Sequence, residues 1–75
     1  MTLAEIKKGE KAKIKEINCV GSGRQRLFDL GLIKGEIIKC TGFAPLGDPM
    51  IIAINNFEMA IRKADAACIL IEKAG

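Results

Sequence analysis

Within fourteen residues, from Ser22 to Gly35, the run SGRQRLFDLGLIKG carries both a start and a stop for a helix, more local instruction than any other stretch of the chain. Ser22 followed three residues later by Gln25 has the S-x-x-Q form of a capping box, which predicts a helix beginning at Gly23 or Arg24. Leu27 and Leu30 share a face, Arg24, Gln25 and Asp29 stay wet, Gly31 supplies the left-handed residue that closes a helix, and Leu32 folds back behind it. A helix of about eight residues does not stand alone in water, so the Leu27/Leu30/Leu32 cluster needs an anchor. The flanking sequence offers only short strands for that purpose.

Those strands follow from alternation. KAKIKEIN from Lys11 to Asn18 points Ala12 and Ile14 inward, and Ile17, on the opposite parity, predicts a bulge near Lys15-Glu16. EIIKCTGF from Glu36 to Phe43 places Ile38 and Cys40 on one face. MIIAIN (50–55) and FEMAIR (57–62) flank Asn55-Asn56, a tight hairpin turn, with Phe57, Met59 and Ile61 as the buried face of the second. ACILIEK (67–73) is the most apolar strand, and Lys63-Ala64-Asp65-Ala66 before it reads as one 3₁₀ turn. At the N-terminus Thr2 and Glu5 can cap a single turn that tucks Leu3 and Ile6 over one end of the sheet. Five short strands, one short helix after the first of them and no long helical period predict a mainly β fold, a small partly open barrel.

Size and composition bound the rest. Seventy-five residues make one domain, and 49% hydrophobic residues with three Phe and no Trp or Tyr make its core aliphatic. No apolar run approaches membrane-span length, and MTLAEIKKGEK has no signal-peptide apolar region, so a cytoplasmic protein is expected. Cys19, Cys40 and Cys68 are odd in number and lack a C-x-x-C pair, and they read as buried small hydrophobes in a reducing compartment. With no histidine, a nitrogen-rich metal site is excluded, and no cofactor or metal site is expected. A net charge of +3 is a mild excess. Lys11, Lys13 and Lys15 form a stripe that reads as a solvated face or edge guard, with contact to an acidic partner or anionic membrane surface as the alternative.

Catalytic chemistry is missing: there is no histidine, no paired carboxylates at a recognisable spacing and no nucleophile with a base beside it. Gly21-Ser22-Gly23 only loosely echoes a phosphate-binding turn. The shortage of aromatics argues against proline-rich peptide recognition and against nucleic-acid stacking. The loop APLGDP, from Ala44 to Pro49, cannot continue a ladder and is expected to be ordered, with Asp48 bonding its own backbone. It serves either as a structural turn or as a contact surface.

Three segments carry a resemblance. RLFDLGLIKGEII, APLGDPMIIAI and MAIRKADAACILIE, colinear between Leu3 and Glu72, resemble the FeoA family, the small cytoplasmic partners of the bacterial ferrous-iron transporter FeoB. The most specific parts are Arg26-Leu27-x-x-Leu30-Gly31-Leu32-x-x-Gly35, the Pro45-Leu46-Gly47-Asp48-Pro49 loop and Ala60-x-Arg62-Lys63-x-Asp65-Ala66. Lys34 departs from the proline that family members often carry there. The resemblance implies one SH3-like domain over residues 1–75 that binds the cytoplasmic part of a FeoB-like transporter without enzymatic activity, nucleic-acid binding or membrane insertion. Exposed strand edges allow oligomers without requiring them. The surface expected to meet the partner comprises Arg26, Asp29, Leu46, Gly47, Asp48, Arg62 and Lys63. The SH3-like C-terminal domains of DtxR-type iron-dependent repressors look similar, so a free-standing module regulating such a repressor or another protein is the alternative. A chain that starts at methionine and has no helix-turn-helix reads more simply as a free-standing protein.

Overall fold

The computed structural model describes residues 1–74. A 3₁₀ turn (Leu3–Glu5) is followed by β1 (Lys11–Ile17), α1 (Ser22–Asp29), β2 (Ile37–Phe43), β3 (Met50–Ile54), β4 (Phe57–Ile61), α2 (Lys63–Ala66) and β5 (Ile69–Ala74). The strands form one antiparallel sheet in the order β4-β3-β2-β1-β5. β1 is therefore interior to the sheet, and its exposed lysines are a solvated face, not an edge guard. β4 and β5 stay unjoined, which leaves the barrel partly open, as expected.

Two register shifts curl the sheet. One lies between Ile14 and Glu16 against β5, where the parity break predicts it, and it returns Ile17 to the core. The other, between Cys40 and Gly42, bends β2 against β3. The β3–β4 hairpin turns through Asn55-Asn56, with Asn55 at φ 54°. Ala12, Ile14, Ile38, Cys40, Ile52, Ile54, Ile61, Ile69 and Ile71 fill the interior with aliphatic side chains and one thiol, and no polar or charged residue is buried among the described residues. Phe57, expected inside, is exposed, and Met59 is half-buried, so β4 peels away from the core at its first residues.

The N-terminal turn closes the base of the barrel. Glu5 Oε1 accepts the Thr2 backbone N–H at 2.9 Å and the Thr2 hydroxyl at 3.2 Å, holding a turn that buries Leu3 and Ile6. Thr2 pairs with Leu70, and the Ile71 N–H donates to the Met1 carbonyl at 2.9 Å, so this segment covers part of the β5 edge.

α1 departs from the sequence expectation at its start and keeps to it at its end. Gly21, at φ 73° and ψ −153°, takes the cap position, and the helix begins at Ser22 without a side-chain cap. Only glycine enters a helix easily from that conformation, so the start moves forward and the Ser22/Gln25 box does not form. Gln25 Nε2 instead donates to Asp29 Oδ1 at 2.9 Å. At the other end Gly31 (φ 95°) donates its N–H to the Phe28 carbonyl at 2.9 Å and Leu32 to the Leu27 carbonyl at 3.0 Å, the paired bonds of a Schellman closure. Leu27 and Leu32 are buried, whereas Leu30 is 36% exposed, because the chain reverses at Gly31 and Leu32 takes the core position. α2 is a single α-helical turn, not the 3₁₀ turn expected.

The cysteines bring a further correction. Cys40 is a free thiol in the core, as expected, but Cys19 and Cys68 are paired as a disulfide, with Cα atoms 5.1 Å apart. Cys68 lies in the turn before β5 rather than within the strand. The two are separated by 49 positions, so no local spacing announces the pair.

Candidate functional site

The loop between β2 and β3 is tied at its neck and base. Gly47 donates its N–H to the Ala44 carbonyl at 2.7 Å, and Ala44 donates to the Pro49 carbonyl at 2.9 Å. Gly47 sits at φ 87°, which favours glycine, and the Asp48–Pro49 peptide is cis. The result is an ordered projection with Leu46 at its tip, 96% exposed.

Asp48 does not bond its own backbone. Its Oδ1 accepts the Lys63 N–H at 3.0 Å, so the loop caps the first turn of α2 from fifteen residues away. The Lys63 ammonium lies 5.4 Å from the centroid of the Phe43 ring. At an exposed site such a cation–π contact contributes about 0.5–1 kcal/mol. Arg62, exposed, immediately precedes α2.

Gly47, Asp48 and Lys63 thus come together, with Leu46 exposed at the tip of the same loop and Arg62 next to Lys63 in the chain. Phe43 joins them and was not foreseen. Its only signal is its position at the end of β2, because the residue it touches is remote in sequence.

Arg26 and Asp29 are both exposed on α1, and no hydrogen bond or ion pair joins them to the loop among the described residues. Arg24, on the same helix, stands 4.9 Å from the Phe28 ring centroid. Val20, Leu30 and Ile33 add exposed apolar side chains around this helix. The expected contact residues therefore come from two parts of the chain, α1 and the β2–β3 loop with the start of α2.

An open cleft of about 770 Å³ runs along β1 and β5 and is lined by Lys13, Lys15, Lys34, Glu16 and Glu72. Its charges are mixed. Among the described residues no three His, Cys, Asp or Glu side chains are grouped to hold a metal ion, and no helix is long and apolar enough to cross a membrane.

Among the described residues, ionisation is perturbed at the exposed Glu5 and the half-buried Glu10. The Thr2 backbone N–H, and next its hydroxyl, hold the Glu5 carboxyl below the usual glutamate value. The Lys73 ammonium, 2.9 Å from Glu10 Oε2, lowers Glu10, helped by the Lys7 backbone N–H. Both are structural pairs at turns.

The model of the FeoA domain matches residues 1–73 of this chain. The chain belongs to the FeoA family. A FeoA relative from Porphyromonas gingivalis, the Fe(2+) transport protein A/Fe(2+) transporter FeoB fusion protein, is 33% identical over 72 residues, 96% of this chain and 8% of that one. The chain thus spans a small fraction of that relative's length.

The solution structure of the FeoA protein from Chlorobium tepidum matches at TM-score 0.93 and 35% identity, covering 100% of this chain and 71% of that one. The zinc complex of Stenotrophomonas maltophilia FeoA, described as a prokaryotic SH3 domain protein, matches at TM-score 0.84 and 24% identity over 96% and 89% of the two chains. The manganese regulator SloR matches at TM-score 0.85 and 16% identity, over 99% of this chain and 34% of its own. The last two likenesses are of fold alone, and the first of them gives that fold as SH3-like.

Proposed function

We propose that this chain is a non-enzymatic accessory protein of bacterial ferrous-iron uptake that acts in the cytoplasm by binding the cytoplasmic part of a FeoB-like transporter. The observation that carries the reading is the Porphyromonas gingivalis relative, in which a domain 33% identical to nearly the whole of this chain is covalently joined to the transporter. Fusion raises the effective concentration of a contact that otherwise forms between separate chains. An inert aliphatic core with chemistry only on its outer wall suits a contact module.

The contact surface in this reading is the Leu46 knob with Gly47, Asp48, Arg62 and Lys63, supported by Arg26 and Asp29 on α1. Leu46 inserts into an apolar recess while the cations meet acidic groups at the rim, the division that recurs in protein interfaces. Control of transport then requires binding one transporter state better than another, and each tenfold preference needs about 1.4 kcal/mol of differential contact.

The test is capture of the tagged protein with detergent-solubilised transporter. Arg62→Glu with Leu46→Ser should leave the thermal melt unchanged and reduce capture at least tenfold, and Arg26→Glu should reduce it less. Equal recovery by all variants would discard this surface. A second reading, an SH3-like module that regulates a metal-dependent repressor, draws on the fold likeness to SloR. Co-purification with a DNA-binding regulator instead of a membrane protein would favour it.

A further inference from the structure

The function proposed above leaves the Cys19/Cys68 pair unused. It joins the β1–α1 connection, just past the end of β1, to the turn between α2 and β5, and the approach is already set by backbone, since the Asn18 N–H donates to the Cys68 carbonyl at 2.7 Å. The Cα separation of 5.1 Å lies within the range a disulfide spans without moving the chain.

The surroundings also fit the two thiols. The Asp65 carbonyl lies 2.9 Å from Cys68 Sγ and 3.5 Å from Cys19 Sγ, so each S–H, when present, has an acceptor in place. Cys68 is half-buried rather than enclosed, and an open cleft beside α1, lined by Cys19, Gly21, Arg24 and Phe28, gives reagents a path to its partner. Cys40, by contrast, is sealed in the core and cannot compete.

We propose that Cys19 and Cys68 are a reversible thiol-modification site, opened by small-molecule thiols and closed by small-molecule disulfides, that clamps the entrance of α1 to the β5 corner. The step balances by exchange. The Cys68 thiolate attacks a disulfide such as oxidised glutathione and releases one glutathione. The Cys19 thiolate then displaces the second from the mixed disulfide. One protein disulfide and two glutathione thiols result, the two cysteine protons ending on the glutathiones. Where small-molecule thiols are abundant, the disulfides that do form are usually transient and redox-sensing or catalytic.

The inference is independent of the transporter reading, because loss of transporter capture and loss of exchange are separate measurements. The wild-type chain is equilibrated in graded mixtures of reduced and oxidised glutathione, quenched, alkylated under denaturing conditions and mapped by peptide mass. Cys19 and Cys68 should lose their thiols together, forming one cross-linked species that reverts in excess reduced glutathione, while Cys40 stays a thiol throughout. The oxidised form should melt roughly 10 °C or more above the reduced form, given the length of chain the bond encloses. Cys68→Ser should remove both the cross-link and the Tm difference. Free thiols at positions 19 and 68 in oxidised glutathione, a cross-link through Cys40, or a bond that stays closed in excess reduced glutathione would each overturn the proposal.

Discussion

Leu27, Leu30 and Leu32 are chemically identical, and only their places relative to Gly31 separate them. Leu27→Ala removes buried methyl groups and should cost about 2–5 kcal/mol, and Leu32→Asp should abolish the cooperative melt by burying an unpaired carboxylate. Leu30→Asp, at an exposed cap, should change stability by only about 0.5 kcal/mol. Thermal denaturation of the three variants decides the assignment, and a Leu30 variant as damaged as the Leu32 variant would contradict it. Glu5 and Glu10 make a pH prediction at the same scale. Their folded pKa values are lowered, so the unfolded chain binds more protons in acid. Their contribution is present above the ordinary glutamate value and is lost as pH falls through the folded values. Tm measured from pH 7 to pH 3 should therefore decline at the acid end, and Glu10→Gln should flatten part of that decline.

At the scale of the element, α1 shows how a start signal and a stop signal differ in strength. The closing glycine succeeds because its requirement is geometric: φ at Gly31 is 95°, and the two carbonyl bonds depend on it. Gly31→Ala should destabilise by about 1 kcal/mol, and a melt above wild type would show that the left-handed closure is dispensable. The Ser22 cap fails because it has a competitor, a glycine one position earlier that enters the helix from a conformation serine avoids. Thr2 has no such competitor, and Glu5 does reach back to it. The Asn55-Asn56 hairpin and the Ile14/Glu16 bulge are likewise legible, because turn chemistry and side-chain parity are local properties.

In the molecule as a whole, the barrel is closed at its base by the first six residues rather than by a strand. Leu3 and Ile6 are buried against the rest of the core, and Thr2 extends the pairing of β5. Deleting residues 1–6 should expose that base and lower the unfolding free energy by several kcal/mol, about 1.5–3 for each large apolar side chain uncovered. A truncated chain with an unchanged melt and the same chemical-shift dispersion would show the turn to be ornament. The Leu46 loop stands on the opposite footing. Its stiffness comes from its own bonds and from Lys63, so it can present one contact geometry without further ordering on binding.

The amino-acid sequence alone determined the number and order of the strands, the position of the helix, the bulge in β1, the hairpin and the family, because each depends on neighbours within a few positions or on a motif. Tertiary structure alone decided that Asp48 caps α2, that Phe43 lies under Lys63 and that Cys19 meets Cys68. Those relations join residues far apart in the chain, and they exist only once burial of the aliphatic core has curled the sheet and brought its connections to common corners.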